Sequence, residues 1–83
     1  MSESEIGEVI QFFAKPVVAG LTLKGTLTVG DTLHINGHTT DIKFVVDSIQ
    51  IDNESKTKAG RGEDVGIKVP DRVRPGDKVY KVS

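Results

Sequence analysis

Apolar residues occur along the chain in short runs separated by glycine, proline and charge, and no run keeps an i, i+3, i+4, i+7 stripe over a full helix. The first run, Ile6 to Phe13, is apolar on both faces, with Ile6, Ile10 and Phe12 of one parity and Val9 and Phe13 of the other. That pattern predicts a strand covered on two sides or bent across a barrel corner. Lys15-Pro16 ends it, because proline has no amide to give to a ladder. From Val17 to Lys24 the alternation is regular, Val17, Ala19, Leu21 and Leu23 against Val18, Gly20, Thr22 and Lys24, which predicts one core face. Gly25 opens a connection through Leu27 to the turn Val29-Gly30-Asp31, followed by a strand over Thr32 to Asn36. Asn36-Gly37 is a two-residue hairpin signal.

The fourth run, Thr40 to Ile51, changes its inward parity between Ile42, Phe44 and Val46 and the later Ile49 and Ile51. A bulge or sharp coil near Val45 to Asp47 is expected there. Asp52 to Asp64 is rich in charge and reads as a long loop, with room for a short edge strand. Val65 to Val69 is a fifth strand ended by Pro70, Arg74-Pro75-Gly76-Asp77 is a turn, and Val79 to Val82 closes the chain. Six strands without a helical crossover require mainly antiparallel pairing. A short echo, Val29-Gly30-Asp31-Thr32-Leu33 against Pro75-Gly76-Asp77-Lys78-Val79, points to one turn chemistry used at two strand entries.

Composition strengthens the all-β reading. Val, Ile and Thr number 25 of the 83 residues while Ala and Leu together number 7, and β-branched side chains favour a pleated sheet over a helix. The length allows one domain, placed at residues 6–83, after an acidic N-terminus, residues 1–5, expected to be disordered. The absence of cysteine removes disulfides, thiolate metal sites and cysteine nucleophiles. With no basic leader and no apolar stretch of membrane-spanning length, the expectation is a cytoplasmic protein without membrane contact.

The series Ile6-Gly7-Glu8-Val9, Val18-Ala19-Gly20, Gly25-x-Leu27-x-Val29-Gly30-Asp31, Ser48-Ile49-Gln50, Ala59-Gly60-Arg61-Gly62-Glu63-Asp64-Val65-Gly66 and Gly76-Asp77-x-Val79 resembles the second-domain β-barrel of translational GTPases of the elongation factor Tu type. It also resembles the free-standing translation elongation factor-like proteins and the barrel at the C-terminus of collagenase-like peptidases, with the stretch from Gly30-Asp31 through Gly37-His38-Thr39-Thr40-Asp41 as the nearest in appearance. The resemblance implies a six-stranded, mainly antiparallel reductive barrel and a role in contacting tRNA, ribosomal RNA or another translation component. GTP chemistry is not implied, because the chain has no G-x-x-x-x-G-K-[ST] phosphate loop. Lys15-Pro16-Val17 stands where the elongation factors have an Arg-Gly-Thr-like tripeptide.

Candidate chemistry is sparse. His34 and His38, with Asp41 nearby, are the only arrangement with metal-ligand character, and an isolated histidine pair without a fuller ligand set is a weak signal. No nucleophile stands at a plausible spacing from a base, and a small barrel filled by its own side chains leaves no ligand-sized cavity. The expectation is therefore a non-catalytic binding module with no metal, no cofactor and no small-molecule substrate.

Charge gives the positive hint: residues 1–51 carry 3 basic and 6 acidic groups, residues 52–83 carry 8 and 6. Lys68, Arg72 and Arg74, with Lys15, are the candidate contacts to RNA phosphates or an acidic partner. Phe13 shares the parity of Val9, which points to burial on both faces; an outward phenyl beside Lys15 would instead be free to stack on a base. The competing reading is a protein-interaction accessory domain that docks on a peptidase or GTPase, with Val29, Thr32 and the Asp52 to Asp64 segment nearer the contact.

Overall fold

The computed structural model describes residues 2–15 and 17–82. Within them the chain forms ten strands and no helix: β1 (Glu3–Ala14), β2 (Val17–Leu23), β3 (Leu27–Thr28), β4 (Thr32–Asn36), β5 (Asp41–Val45), β6 (Ile49–Ile51), β7 (Glu54–Lys56), β8 (Lys58–Ala59), β9 (Asp64–Lys68) and β10 (Lys78–Val82). Eight of them make one antiparallel sheet in the order β5-β4-β10-β1-β2-β9-β6-β7, while β3 and β8 pair separately. Pro16, read above as the terminator of the first strand, lies outside the described residues, as do Met1 and Ser83.

The all-β, antiparallel expectation holds, but the closed six-stranded barrel does not. No ladder joins β5 to β7 among the described residues, so the sheet keeps two edges. The parity switch in the fourth run shows why. β5 ends at Val45, Val46 turns inward and exchanges backbone hydrogen bonds with Gly30 and Asp31, and pairing resumes only at Ile49. The sheet is interrupted where the barrel reading requires continuity. Instead it curls around one core, Val9, Leu21, Leu33, Ile35, Ile49, Ile67 and Val79 among its members, and Leu27 of β3 and Ala59 of β8 complete that core.

Curling is helped by irregularities in β1. The β1–β10 register shifts between Glu5 and Gly7, and the β1–β2 register shifts between Val9 and Gln11. A bulge rotates the side chains beyond it to the other face. Val9 is therefore buried, Ile10 and Phe13 point outward at 42% and 50% exposure, and Phe12 packs on the core. This corrects the expectation that Phe13 is buried with Val9. The acidic N-terminus enters the ladder from Glu3 onward: Glu3, Ser4 and Glu5 pair with Val82, Lys81 and Tyr80.

The sequence echo is one turn used repeatedly. In Thr28-Val29-Gly30-Asp31 the Asp31 amide donates to the Thr28 carbonyl (3.0 Å), and the Thr28 amide donates to the Asp31 carboxylate (2.9 Å). Arg74-Pro75-Gly76-Asp77 repeats both bonds at 3.1 and 2.9 Å, and Gly30 and Gly76 share a φ of 97°. That positive φ is what a type II turn demands of its third residue. A third copy, Gly60-Arg61-Gly62-Glu63, has the Glu63 carboxylate in the same role at 2.7 Å. Together with β7 and β8 it replaces the expected 52–64 loop. The Asn36-Gly37 hairpin signal is displaced by two residues: Gly37 donates to the Thr40 carbonyl across His38 and Thr39. A side chain at Gly37 would overlap the buried Asp77 carboxylate, so close approach rather than φ explains that glycine.

Candidate functional site

The outer face of the sheet divides into two halves. On β4, β5, β10 and the first half of β1 most outward charges are paired with one another, beside uncharged Thr32, Val45 and Tyr80. His34 lies between two carboxylates, its Nδ1 2.9 Å from Glu3 and its Nε2 2.5 Å from Asp41, with the Tyr80 ring beside it at 6.3 Å between centroids. Lys78 donates to Glu8 at 2.8 Å, Lys24 to Glu5 at 3.0 Å, and Lys43 stands 3.9 Å from Glu3. The hydrogen bond to Glu3, then that to Asp41, raises the His34 pKa above 6.5, against a smaller opposing effect of burial. The Lys78 hydrogen bond likewise holds the Glu8 carboxyl below its usual value.

Both ring nitrogens of His34 are thus committed to carboxylates, which suits an imidazolium with two donors. Asp41 meets His34 as the spacing allowed, but His38 is exposed in the turn between β4 and β5. Among the described residues no group of three or more His, Asp and Glu side chains is arranged to hold a metal ion.

The second half, formed by β6, β9, β2 and the later part of β1, is different. Cross-strand register sets Gln11 opposite Gly20, Gly20 opposite Gly66, and Gly66 opposite Gln50. Two glycines in a row remove the side chains from the middle of the sheet and leave a groove of about 480 Å³. Ile10, Gln11 and Phe13 wall it on one side, and Gln50, Asp52 and Asn53 on the other. Asp52 and Asn53 form the two-residue loop between β6 and β7, both with positive φ (51° and 66°), a conformation that aspartate and asparagine tolerate better than other side chains. Asp64, at the lower rim, accepts a hydrogen bond from the Thr22 hydroxyl at 2.9 Å. Neither Gln11 nor Gln50 has a side-chain partner among the described residues.

Of the residues singled out in the sequence, Phe13 and Lys15 are brought together in this groove. Lys68 lies in a smaller adjoining hollow of about 80 Å³ that shares Val18, Gln50 and Gly66 with it. Arg72 and Arg74 line neither; both are exposed in the connection between β9 and β10, where their backbone amides bond to Asp71 and Asp77. The four basic candidates thus do not line one hollow together. Lys15, Asp52 and Asp64 all line the groove. Sequence reading missed Gly20, Gly66, Gln11 and Gln50, because their alignment is a matter of register between strands distant in the chain. The signal that was available is two strand-interior glycines, since such glycines mark close backbone approach.

The fold so described, a curled antiparallel sheet with a two-stranded cap, is that of the C-terminal domain of a Geobacillus thermoleovorans protein assigned to the U32 peptidases. Two crystal structures of that domain superpose with a TM-score of 0.89 at 17% identity, one covering 94% of this chain and 99% of the domain, the other 95% and 92%. Among proteins similar in sequence, an uncharacterised protease of Methanocaldococcus jannaschii is 44% identical over 77 residues, which is 92% of this chain and 19% of that protein. A collagenase of Porphyromonas gingivalis is 33% identical over 78 residues, 92% of this chain and 22% of the collagenase. The chain thus spans about a fifth of the length of these relatives. No family model matches it.

These similarities correct the functional reading. The collagenase-like peptidase side of the resemblance is supported, and the translation-factor side is not. The proteins matching across nearly the whole chain are a protease and a collagenase. Elongation-factor character and RNA binding are withdrawn. No helix among the described residues is long and apolar enough to cross a membrane.

Proposed function

We propose that this chain is a non-catalytic accessory domain that works beside the catalytic part of a peptidase. The observation that carries the reading is the 44% identity over 77 residues to about a fifth of a protein named as a protease. The contact with the catalytic part is assigned to the apolar patch around Val29, Thr32 and Val45. Val29 and Val45 are 36% and 56% exposed, Thr32 pairs with Val45, and Val29 donates to the carbonyl of Thr57 at the β7–β8 junction.

Titration calorimetry of this chain into the Methanocaldococcus relative lacking its matching segment tests the reading. Saturable one-to-one binding is expected, lost on Val29→Asp with Val45→Asp, and the isolated chain should hydrolyse neither a fluorogenic peptide nor gelatin. Peptide hydrolysis by the isolated chain, or no binding to the truncated relative, overturns it.

A further inference from the structure

Gly20 and Gly66 stand opposite one another in the interior of two central strands, where glycine weakens a sheet. Neither has a positive φ, so backbone conformation does not require them. Packing does not require them either. A Cβ at Gly20 would lie 3.4 Å from the nearest atom, Cβ of Gln11, and one at Gly66 would lie 3.6 Å from Cγ1 of Val18, both ordinary contacts. Gly7, in the same sheet, differs: a Cβ there would meet the Thr22 carbonyl oxygen at 2.6 Å. The fold accounts for Gly7 by close approach, whereas Gly20, opposite the bulge between Val9 and Gln11, and Gly66 leave their backbone bare on the open outer face. A strand interior bared in this way admits a group that approaches the backbone from outside.

We propose that the groove over Gly20 and Gly66 binds an extended segment of the polypeptide substrate, laid across the strands from the Gln11 wall to the Gln50 wall. This rests on the reading of the chain as a peptidase accessory domain for the source of the peptide, and on the groove itself for its chemistry. Gln11 to Gln50 spans three interstrand spacings, roughly 14 Å, which about four residues of extended chain cover. At each wall a free glutamine amide offers one acceptor and two donors, the complement of a peptide C=O and N–H. Phe13 and Val18, with Lys15 beside them, form an apolar seat at one end for a large side chain, while Asp52 and Asp64 at the other favour a neutral or basic flank. A volume of about 480 Å³ belongs to the range of ligand clefts and takes a segment. A folded partner would instead require roughly 800 Å² of matching surface from each side.

The test uses the 83-residue chain, labelled with nitrogen-15, and a capped octapeptide of Gly and Ser with a central Leu-Phe pair and a Lys at each end. Saturable shifts are expected at the amides of Phe13, Gly20 and Gly66 and at the side-chain amides of Gln11 and Gln50. Replacing Leu-Phe by Ser-Ser in the peptide, or Phe13→Ser in the protein, should weaken binding about tenfold or more. The double variant Gly20→Ala, Gly66→Ala should lose binding while melting at a higher temperature than the parent. Absence of shifts up to ~1 mM peptide, shifts confined to residues outside the groove, or a lower melting temperature in the alanine variant overturns the proposal. The last result would assign the glycines to sheet curvature. Docking through Val29 and Val45 is unaffected by these groove variants, so its loss or retention in calorimetry reports on the accessory reading separately.

Discussion

The two halves of the outer sheet face are built from the same antiparallel ladder yet treat their outward positions in opposite ways. Around β4, β5 and β10 almost every outward charge has a partner within the chain: Glu3 and Asp41 hold His34, and Glu8 holds Lys78. Across β2, β9 and β6 the outward positions include two facing glycines and an unpartnered glutamine beside Lys68 and the Thr22–Asp64 pair, with exposed Ile10 and Phe13 on the adjoining β1. Polar groups that already satisfy one another offer little to a partner, since any partner must first break those pairs, which leaves exposed Val45 as the open feature of that half. A surface with free amides, exposed phenyl and bare backbone is incomplete by itself. The difference separates the two halves more sharply than the total charge does.

Stability measurements can break this comparison, because glycines of both halves answer the same substitution with opposite sign. The largest effect is expected from Gly7→Ala on the paired half, where the new methyl overlaps the Thr22 carbonyl; a loss of about 1–3 kcal/mol, read by urea denaturation, follows from overpacking. Next, Gly20→Ala and Gly66→Ala on the open half should each raise stability by about 0.5–1 kcal/mol through reduced chain entropy on unfolding. Because the two positions face each other, the double variant measures their coupling as well. If both halves lose stability alike, the distinction between glycines required by the fold and glycines left open by it is wrong.

Phe13→Ser is smaller still. Its half-exposed ring should change stability by less than ~0.5 kcal/mol, so any loss of peptide binding in this variant reports on contact and not on folding. The smallest effect is a pH dependence confined to the paired half. The folded-state pKa of His34 is raised above 6.5, so its contribution is fully present below pH 6.5 and fades as pH climbs through the higher folded value. Denaturation midpoints measured from pH 6 to pH 8 should fall in the parent, and the slope should flatten in His34→Gln. An unchanged slope would mean that the Glu3 and Asp41 contacts do not hold the ring in solution.

Legibility in the sequence followed the range of the interactions concerned. The alternation Val17-Ala19-Leu21-Leu23 was readable because β pleating is local, and so was the Gly-Asp turn chemistry at Gly30-Asp31 and Gly76-Asp77. The third copy of that turn went unread because Glu63 takes the place of aspartate. The bulge at Ile10 escaped the parity argument, and with it the outward turn of Phe13, since a bulge depends on the partner strand and leaves no composition signal of its own. Arg72 and Arg74 are exposed in the connection between β9 and β10 and line neither the groove nor the hollow beside it.

The amino-acid sequence by itself determined an all-β, mainly antiparallel chain with acid-capped glycine turns, because β-branched alternation and positive-φ glycines act over a few residues. The tertiary structure decided what lies beside what. Register between strands far apart in the chain set Gln11, Gly20, Gly66 and Gln50 in one row, and the break after Val45 left the sheet unclosed. Pairing of this kind is fixed by how all the strands share one core, a property of the whole chain that no segment carries alone.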